Sequence, residues 1–343
     1  EFARGHFAAR AFLRFAARGH RAPRLLNRLQ SAAAAHARLA PLLAPPVPAT
    51  SAPRFASFRP GWIHGEDAAV PRPPSRAGGP VAVALRGAVL RYPGGGAPAL
   101  ADVKLDLPAG SFVGVTGPVG AGKSTLARAV LGLYPLEQGE VRWDGVPLET
   151  IPAAARAAAR GYLPQEAGLF SGTIRENVLL GLAGDGAERE ALVRAAVACA
   201  GLDEDLAALP AGLDTEIGET GVRLSGGQRQ RVALARALLA SPPGRPRLLV
   251  LDDPFAAVDV ETEERIVRAL LERIGPAAPP EQRATLLLVS HRLAAFPSCD
   301  RVVVLHHGAI ESSGTHAELL AAGGLYSRIF RAQARAARAG GEA

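Results

Sequence analysis

The chain has 343 residues, 48% of them hydrophobic, which is enough for one large domain or two small ones around a sizeable core. No run reaches 18 apolar residues, so no complete membrane-spanning helix is expected, and two cysteines without metal-ligand spacing exclude a disulfide framework. The net charge of +7 is unevenly placed: residues 1–80 hold 12 Arg against 3 acidic residues, whereas the remainder holds 27 basic and 29 acidic ones.

Residues 1–44 read as helix, rich in Ala, with Arg10, Arg14, Arg18, Arg21 and Arg28 on one recurring stripe. Phe7, Phe12, Phe15, Leu25 and Leu29 supply its apolar contacts, and Pro23 bends it. Residues 45–80, dense in Pro, Gly and Ser, read as a linker. From Val81 the pattern changes: short apolar strands at 81–85, 103–107 and 111–115 lead to a Gly-rich turn and an amphipathic helix. An Ala-rich, mostly helical stretch occupies about 170–240. Strands return at 247–252, 284–290 and 301–305, with a helix at 261–273 between the first two. Strands alternating with helices predict an α/β sheet interrupted by a helical insertion. Cys199 and Cys299 read as small buried hydrophobes, in keeping with a reducing, cytosolic setting. The chain contains no Met and no signal-peptide pattern, so residue 1 reads as a cut end.

The stretch GPVGAGKST fits G-x-x-x-x-G-K-[ST] between a strand and a helix. Gly117, Pro118, Val119, Gly120, Ala121, Gly122, Lys123, Ser124 and Thr125 are therefore candidate ATP-binding residues. The glycines let the backbone curl so that several N–H groups face a phosphate, and the helix N-terminus adds positive potential. Lys123 can reach the β- and γ-phosphates, and the Ser124 hydroxyl can ligate Mg²⁺. The apolar run LLVL ends on Asp252 and Asp253. Two adjacent carboxylates at the end of a buried strand need a cation, so Asp252 is assigned to the Mg²⁺ shell and Asp253 to the attacking water.

The sequence LSGGQRQRVALARAL, residues 224–238, resembles the signature motif of the ATP-binding cassette (ABC) family. In that family the turn, here Leu224, Ser225, Gly226, Gly227 and Gln228, faces the γ-phosphate held by a second cassette. Further matches follow in the family's order. Tyr92 stands where an aromatic ring stacks on adenine. Gln165 matches the glutamine that senses Mg²⁺ and touches the transmembrane domain, Asp259 the aspartate of the D-loop, and His291 the switch histidine at the γ-phosphate. The resemblance implies a P-loop cassette: a RecA-like α/β core, an antiparallel β subdomain and a helical subdomain, spanning 81–336 with a short tail at 337–343.

GTIRENV and TEIGETG resemble segments of exporter cassettes, although Thr220 stands where the second usually has Arg. NRLQSAAAAHARLAPLLAP resembles the cytoplasmic end of an exporter's last membrane helix, which gives the Arg stripe a positive-inside role. No stacking pattern or recognition motif supports nucleic-acid binding. Hydrolytic cassettes resemble one another in having Glu where this chain has Asp253. One methylene less sets the carboxylate back by roughly 1.5 Å, a displacement that slows hydrolysis by about 100-fold. The resemblance thus implies the degenerate-site half of a heterodimeric exporter, membrane-bound with its cassette on the cytoplasmic side. Its Ser225 and Gly227 would complete the partner's site. The intact His291 keeps a homodimer with slow turnover open, and a regulatory half or a soluble, non-transport ABC ATPase are the alternatives.

Overall fold

A computed structural model describes residues 79–180, 186–218, 221–239 and 246–340. The predicted N-terminal helix at 1–44, nearly all of the linker and Thr220 lie outside the described residues.

The strand-forming runs sort by burial. FVGVT, LLVLD and TLLLV are buried at every position, the pattern of parallel strands covered on both faces. They form β3 (Phe112–Thr116), β9 (Leu248–Asp252) and β10 (Thr285–Val289). With β6 (Arg160–Leu163), β11 (Arg301–His306) and β12 (Ala309–Gly314) they make a six-stranded sheet in the order β12-β11-β3-β10-β9-β6. All neighbours run parallel except the β11–β12 edge pair. A four-stranded antiparallel sheet, β2-β1-β4-β5, is built from β1 (Val83–Leu90), β2 (Leu100–Leu107), β4 (Gln138–Trp143) and β5 (Val146–Pro147). β1 alternates between buried and less buried residues, as a strand with one core-facing side should.

Period-two alternation divides the core into two layers. Val113, Val115, Val250, Leu287 and Val289 point toward α1 (Lys123–Val130) and the antiparallel sheet, packing with Leu85, Leu126 and Trp143. Phe112, Leu249, Leu251, Leu286 and Leu288 point the other way, onto the helices. Those helices are α3 (Ile174–Val178), α4 (Ala187–Cys199), α6 (Gly226–Leu238) and α7 (Val260–Arg273), with α5 (Asp203–Ala208) beside them, whereas α2 (Ala153–Ala159) packs Ala155 and Ala159 into the first layer. The predicted helical insertion contains a two-stranded ribbon, β7 (Gly172–Thr173) with β8 (Glu216–Ile217). The chain ends in α8 (His316–Ala321) and α9 (Leu325–Gly340).

Cys199 and Cys299 are free and buried, and burial pushes the Cys199 thiol up to about 11. A thiol so displaced stays protonated at neutral pH and acts as a small hydrophobe. Capping boxes start α3 at Thr173/Glu176, α6 at Ser225/Gln228 and α8 at Thr315/Glu318. Each satisfies two N-terminal backbone donors reciprocally and contributes about 1 kcal/mol.

Candidate functional site

The sheet order decides what meets what. The carboxyl ends of β3, β10, β9 and β6 lie side by side, and the segments leaving them carry the phosphate loop, His291, Asp252/Asp253 and Gln165 respectively. Register aligns these ends, with Asp252 paired to Val289 and Val289 to Val115. A crevice beyond the carboxyl ends of a parallel sheet is where open α/β folds bind ligands.

The loop between β3 and α1 curls tightly, and its first and last glycines are there for steric reasons. Gly117 (φ 144°) could carry no Cβ, since one would lie 2.0 Å from the Leu305 carbonyl oxygen. At Gly122 (φ 97°) a Cβ would come within 2.5 Å of the Ala99 carbonyl oxygen. Real Cβ atoms do not approach so closely, and both φ values favour glycine. Lys123 folds over the loop, its Nζ donating to the Gly117 and Pro118 carbonyls at 2.9 Å each. Burial lowers the Lys123 ammonium below the ordinary lysine range, and Asp253 and then Asp252 pull it back up. The cation is thus held over an anion-sized turn by weak neutral acceptors, which a phosphate would replace.

Ser124 Oγ donates to Asp252 Oδ1 at 3.0 Å. Asp252 is 1% exposed, and its Oδ2 is buried with no hydrogen-bond partner. Burial pushes this carboxyl above the ordinary aspartate range, against the opposing pull of the Ser124 hydrogen bond, Arg128 and Lys123. A hydroxyl beside a carboxylate oxygen left without a partner is the donor set that fits Mg²⁺. Among the described residues no group of three His, Cys, Asp or Glu could hold a metal by itself. An ion at this place therefore needs phosphate oxygens as well.

One expected result follows from the buried charge. An acid whose folded pKa is raised destabilises the fold in full above that pKa; the penalty shrinks as pH falls below it and is gone only below the unfolded value of about 3.9. Asp252→Asn should raise the Tm of the nucleotide-free chain, by about 2–4 °C per kcal/mol relieved in a domain of this size. The difference from the native chain should shrink as pH falls below the folded pKa of Asp252 and vanish near the unfolded aspartate value of about 3.9. Thermal unfolding across a pH series checks both parts, and an unchanged or lower Tm at neutral pH would show that the carboxylate is stabilised where it sits.

Asp253 adopts a left-handed backbone (φ 54°), a conformation Asp tolerates better than most residues. Its N–H donates to the Val289 carbonyl at 2.7 Å, and its own carbonyl accepts from Gln230 Nε2 at 2.7 Å. Its carboxylate Oδ1 lies 2.8 Å from His291 Nδ1 and 3.3 Å from Ser290 Oγ. Arg292 ties the same segment to the turn after β9, donating to the Phe255 and Val258 carbonyls and pairing with buried Glu263 at 2.9 Å.

Tyr92 sits beside the start of α1: its hydroxyl donates to Thr125 Oγ1 at 3.3 Å and accepts from Arg128 at 3.0 Å. Tyr134 braces it edge-on, with centroids 5.1 Å apart. Gln165 is exposed two residues beyond β6. Its loop is fastened by buried Asn177, which bonds both the N–H and the carbonyl of Phe170, and by Arg236, which donates to Gly168 and Asn177. Asp259 caps α7 through Thr262 N–H, and those hydrogen bonds lower its pKa.

The signature turn stands apart from the phosphate loop. Ser225 Oγ accepts from Gln228 N–H, and the turn rests on the segment after β9, where a Cβ on Gly227 would meet the Ala257 carbonyl oxygen at 2.6 Å. Gln228 in turn donates to Asp205 Oδ1, while Arg231 pairs with Asp205 at 2.6 Å. Ser225 and Gly226 are exposed, so the N-terminus of α6 opens to solvent. Thus Lys123, Ser124, Asp252, Asp253 and His291 converge, whereas Leu224 to Gln228 stand outside that cluster; from α6 it is Gln230, two residues further on, that reaches it through the Asp253 carbonyl. Gln230, Ser290, Arg292 and Glu263 escaped the sequence reading. A glutamine inside the Ala-rich run QRVALARA was the available signal for the first.

Comparison with known proteins agrees with this geometry. The family model described as "ABC transporter" matches residues 100–256. The chain is similar to the probable multidrug resistance ABC transporter ATP-binding/permease protein YheI of Bacillus subtilis (strain 168), 38% identical over 242 residues. That match covers 71% of this chain and 39% of the relative. It is likewise similar to the ATP-dependent lipid A-core flippase of Dechloromonas aromatica (strain RCB), 40% identical over 251 residues, covering 73% and 41% of the two chains. Among solved structures, a bacterial Atm1-family ABC exporter with ATP bound matches with a TM-score of 0.66 and 34% identity, over 79% of this chain and 45% of that one. The chain therefore spans less than half the length of each of these relatives. The described chain thus has the fold of an ABC transporter nucleotide-binding domain, and its residues 100–256 match the ABC transporter family.

Proposed function

We propose that this chain is the ATP-binding and ATP-hydrolysing module of an ABC exporter half-transporter, coupling nucleotide turnover to substrate export across the membrane. The observation that carries the reading is the convergence of Lys123, Ser124, Asp252, Asp253 and His291 at the carboxyl ends of adjacent strands. Relatives with printed roles in multidrug resistance and lipid A-core flipping support export as the class of work. Among the described residues no helix is long and apolar enough to cross a membrane, so the membrane connection would come from residues outside them.

The geometry and the family resemblance together support the following roles. Backbone N–H groups of 117–125 and the N-terminus of α1 bind the β-phosphate, and Lys123 exchanges its two carbonyl acceptors for phosphate oxygens. Tyr92, its hydroxyl held by Thr125 and Arg128, offers its ring to the adenine. Asp252 and Ser124 hold Mg²⁺, with Gln165 as a third contributor; the ion, when bound, neutralises charge on the phosphate oxygens. Asp253 orients the attacking water while His291 steadies its carboxylate. Ser225 to Gln228 serve a second cassette, and Asp259 couples the two sites. We favour a heterodimer, with Asp253 making this chain's own site the slow one; a homodimer slow at both sites is the second reading.

Lys123→Ala tests the nucleotide assignment. It removes the cation of the loop and should weaken MgATP binding by at least about tenfold, or about 1.4 kcal/mol. Titration with a fluorescent ATP analogue measures it. Unchanged affinity would sink the assignment.

A further inference from the structure

Tyr326, Ile329 and Phe330 of α9 recur at the three- and four-residue steps that bury one helix face. The next position on that face is Gln333, where the pattern calls for another apolar side chain. Its amide is used twice. Nε2 donates to the His291 carbonyl at 2.6 Å, and Oε1 accepts from Leu293 N–H at 3.0 Å. The helix is a firm base for such a clamp: Tyr326 is 1% exposed, its hydroxyl lies 2.6 Å from His316 Nδ1, and its ring stacks on Phe330.

The residue so gripped is the one whose ring meets Asp253 at 2.8 Å. Its two neighbours have other attachments. Ser290 is hydrogen-bonded through its N–H to Val115, and Arg292 is fixed on Phe255, Val258 and Glu263. The His291 carbonyl, by contrast, relies on Gln333. Gln333 thus sets the carbonyl side of the His291–Arg292 peptide, whose N–H donates to Ser290 Oγ at 3.0 Å.

We propose that Gln333 is a positioning residue for hydrolysis: from the C-terminal helix its amide fixes the main chain of His291 and thereby the His291–Asp253 contact. This rests on the reading of His291 and Asp253 as parts of the ATP site. Gln333 reaches the chemistry only through His291, so its loss should act on the rate and not on nucleotide binding.

The test is single-turnover and steady-state hydrolysis by an assembled dimer whose other site is disabled at its catalytic glutamate, with Gln333→Leu, Gln333→Glu and His291→Ala compared alone and in combination. Gln333→Leu removes both hydrogen bonds. Gln333→Glu keeps the acceptor for Leu293 N–H but has no donor for the His291 carbonyl, so it covers the case in which the Leu variant fails to fold. Both should lower kcat about three- to tenfold, because displacements well under 1 Å already cost part of the roughly 100-fold that 1 Å does. KM for ATP should stay within about twofold, since uniform binding is untouched. Added to His291→Ala, neither change should lower kcat further, because a residue acting through His291 has nothing left to act on. A native rate in both Gln333 variants, a rise in KM matching the fall in kcat, or a full loss persisting in the His291→Ala background would overturn the inference alone. Absence of hydrolysis in the native assembly and in its Asp253→Glu form would overturn the proposed ATPase function and the inference together.

Discussion

Ser225→Arg should abolish steady-state ATP turnover by the assembled pair while leaving nucleotide binding to this chain unchanged. Ser225 is exposed at the N-terminus of α6, with its hydroxyl capping Gln228 N–H. An arginine there places bulk and a fixed charge in the mouth of an anion-attracting helix end, where the opposing γ-phosphate is proposed to sit. Loss of the cap itself costs about 1 kcal/mol of local stability. That is too little to stop turnover, and Ser225→Ala isolates it. The expected loss exceeds 100-fold, or about 2.7 kcal/mol of barrier. This chain's own pocket is built from Lys123, Ser124 and Asp252, none of which bonds to Ser225. ATPase assays of the pair, with fluorescent-nucleotide binding as the control, measure both halves of the expectation. If turnover survives, the signature turn does not complete the active composite site.

What could be read from the sequence follows physical lines. Strands β3, β9 and β10 declared themselves as short apolar runs because both their faces are covered. The phosphate loop was legible because its glycines answer to local sterics, visible in the 2.0 Å clash a Cβ at Gly117 would suffer. Edge and ribbon elements were not. β12 (AIESSG) is only partly buried, and β7 and β8 are two residues each, too short for any period to register. The antiparallel sheet followed only from the family resemblance, since QGEVRW alternates over just its last four residues, too few to announce β4. Within the site, residues with a motif were found and those serving through distant contacts were not. Arg292 reaches carbonyls 34 and 37 residues back, and Gln333 reaches His291 across 42. Nothing in one sequence encodes such a pairing. The left-handed backbone at Asp253 was equally silent, yet it bears on why the residue is short.

Asp253→Glu should raise hydrolysis at this chain's own site by about tenfold or more, equal to about 1.4 kcal/mol of barrier. The added methylene advances the carboxylate by roughly 1.5 Å, toward the water that Asp253 is read as addressing from too far back. The structure adds an opposing term. Asp253 has φ 54°, where Asp is among the few tolerated side chains, and glutamate there should lower stability by about 1 kcal/mol. A faster but less stable variant is therefore expected, and single-turnover kinetics with thermal unfolding reads both. The clean background is an assembly whose other site is disabled at its catalytic glutamate. The native carboxylate already holds His291 Nδ1 at 2.8 Å and Ser290 Oγ at 3.3 Å, so a gain would mean that reach outweighs those contacts. If glutamate brings no gain, Asp253→Asn decides what remains. Asparagine keeps the size and loses the base, so only a site in which Asp253 already accepts the proton has residual turnover to lose. A fall with asparagine assigns Asp253 as a working base. If asparagine matches aspartate and glutamate adds nothing, this site is a clamp that holds nucleotide while the partner's site hydrolyses, and the argument from reach is wrong.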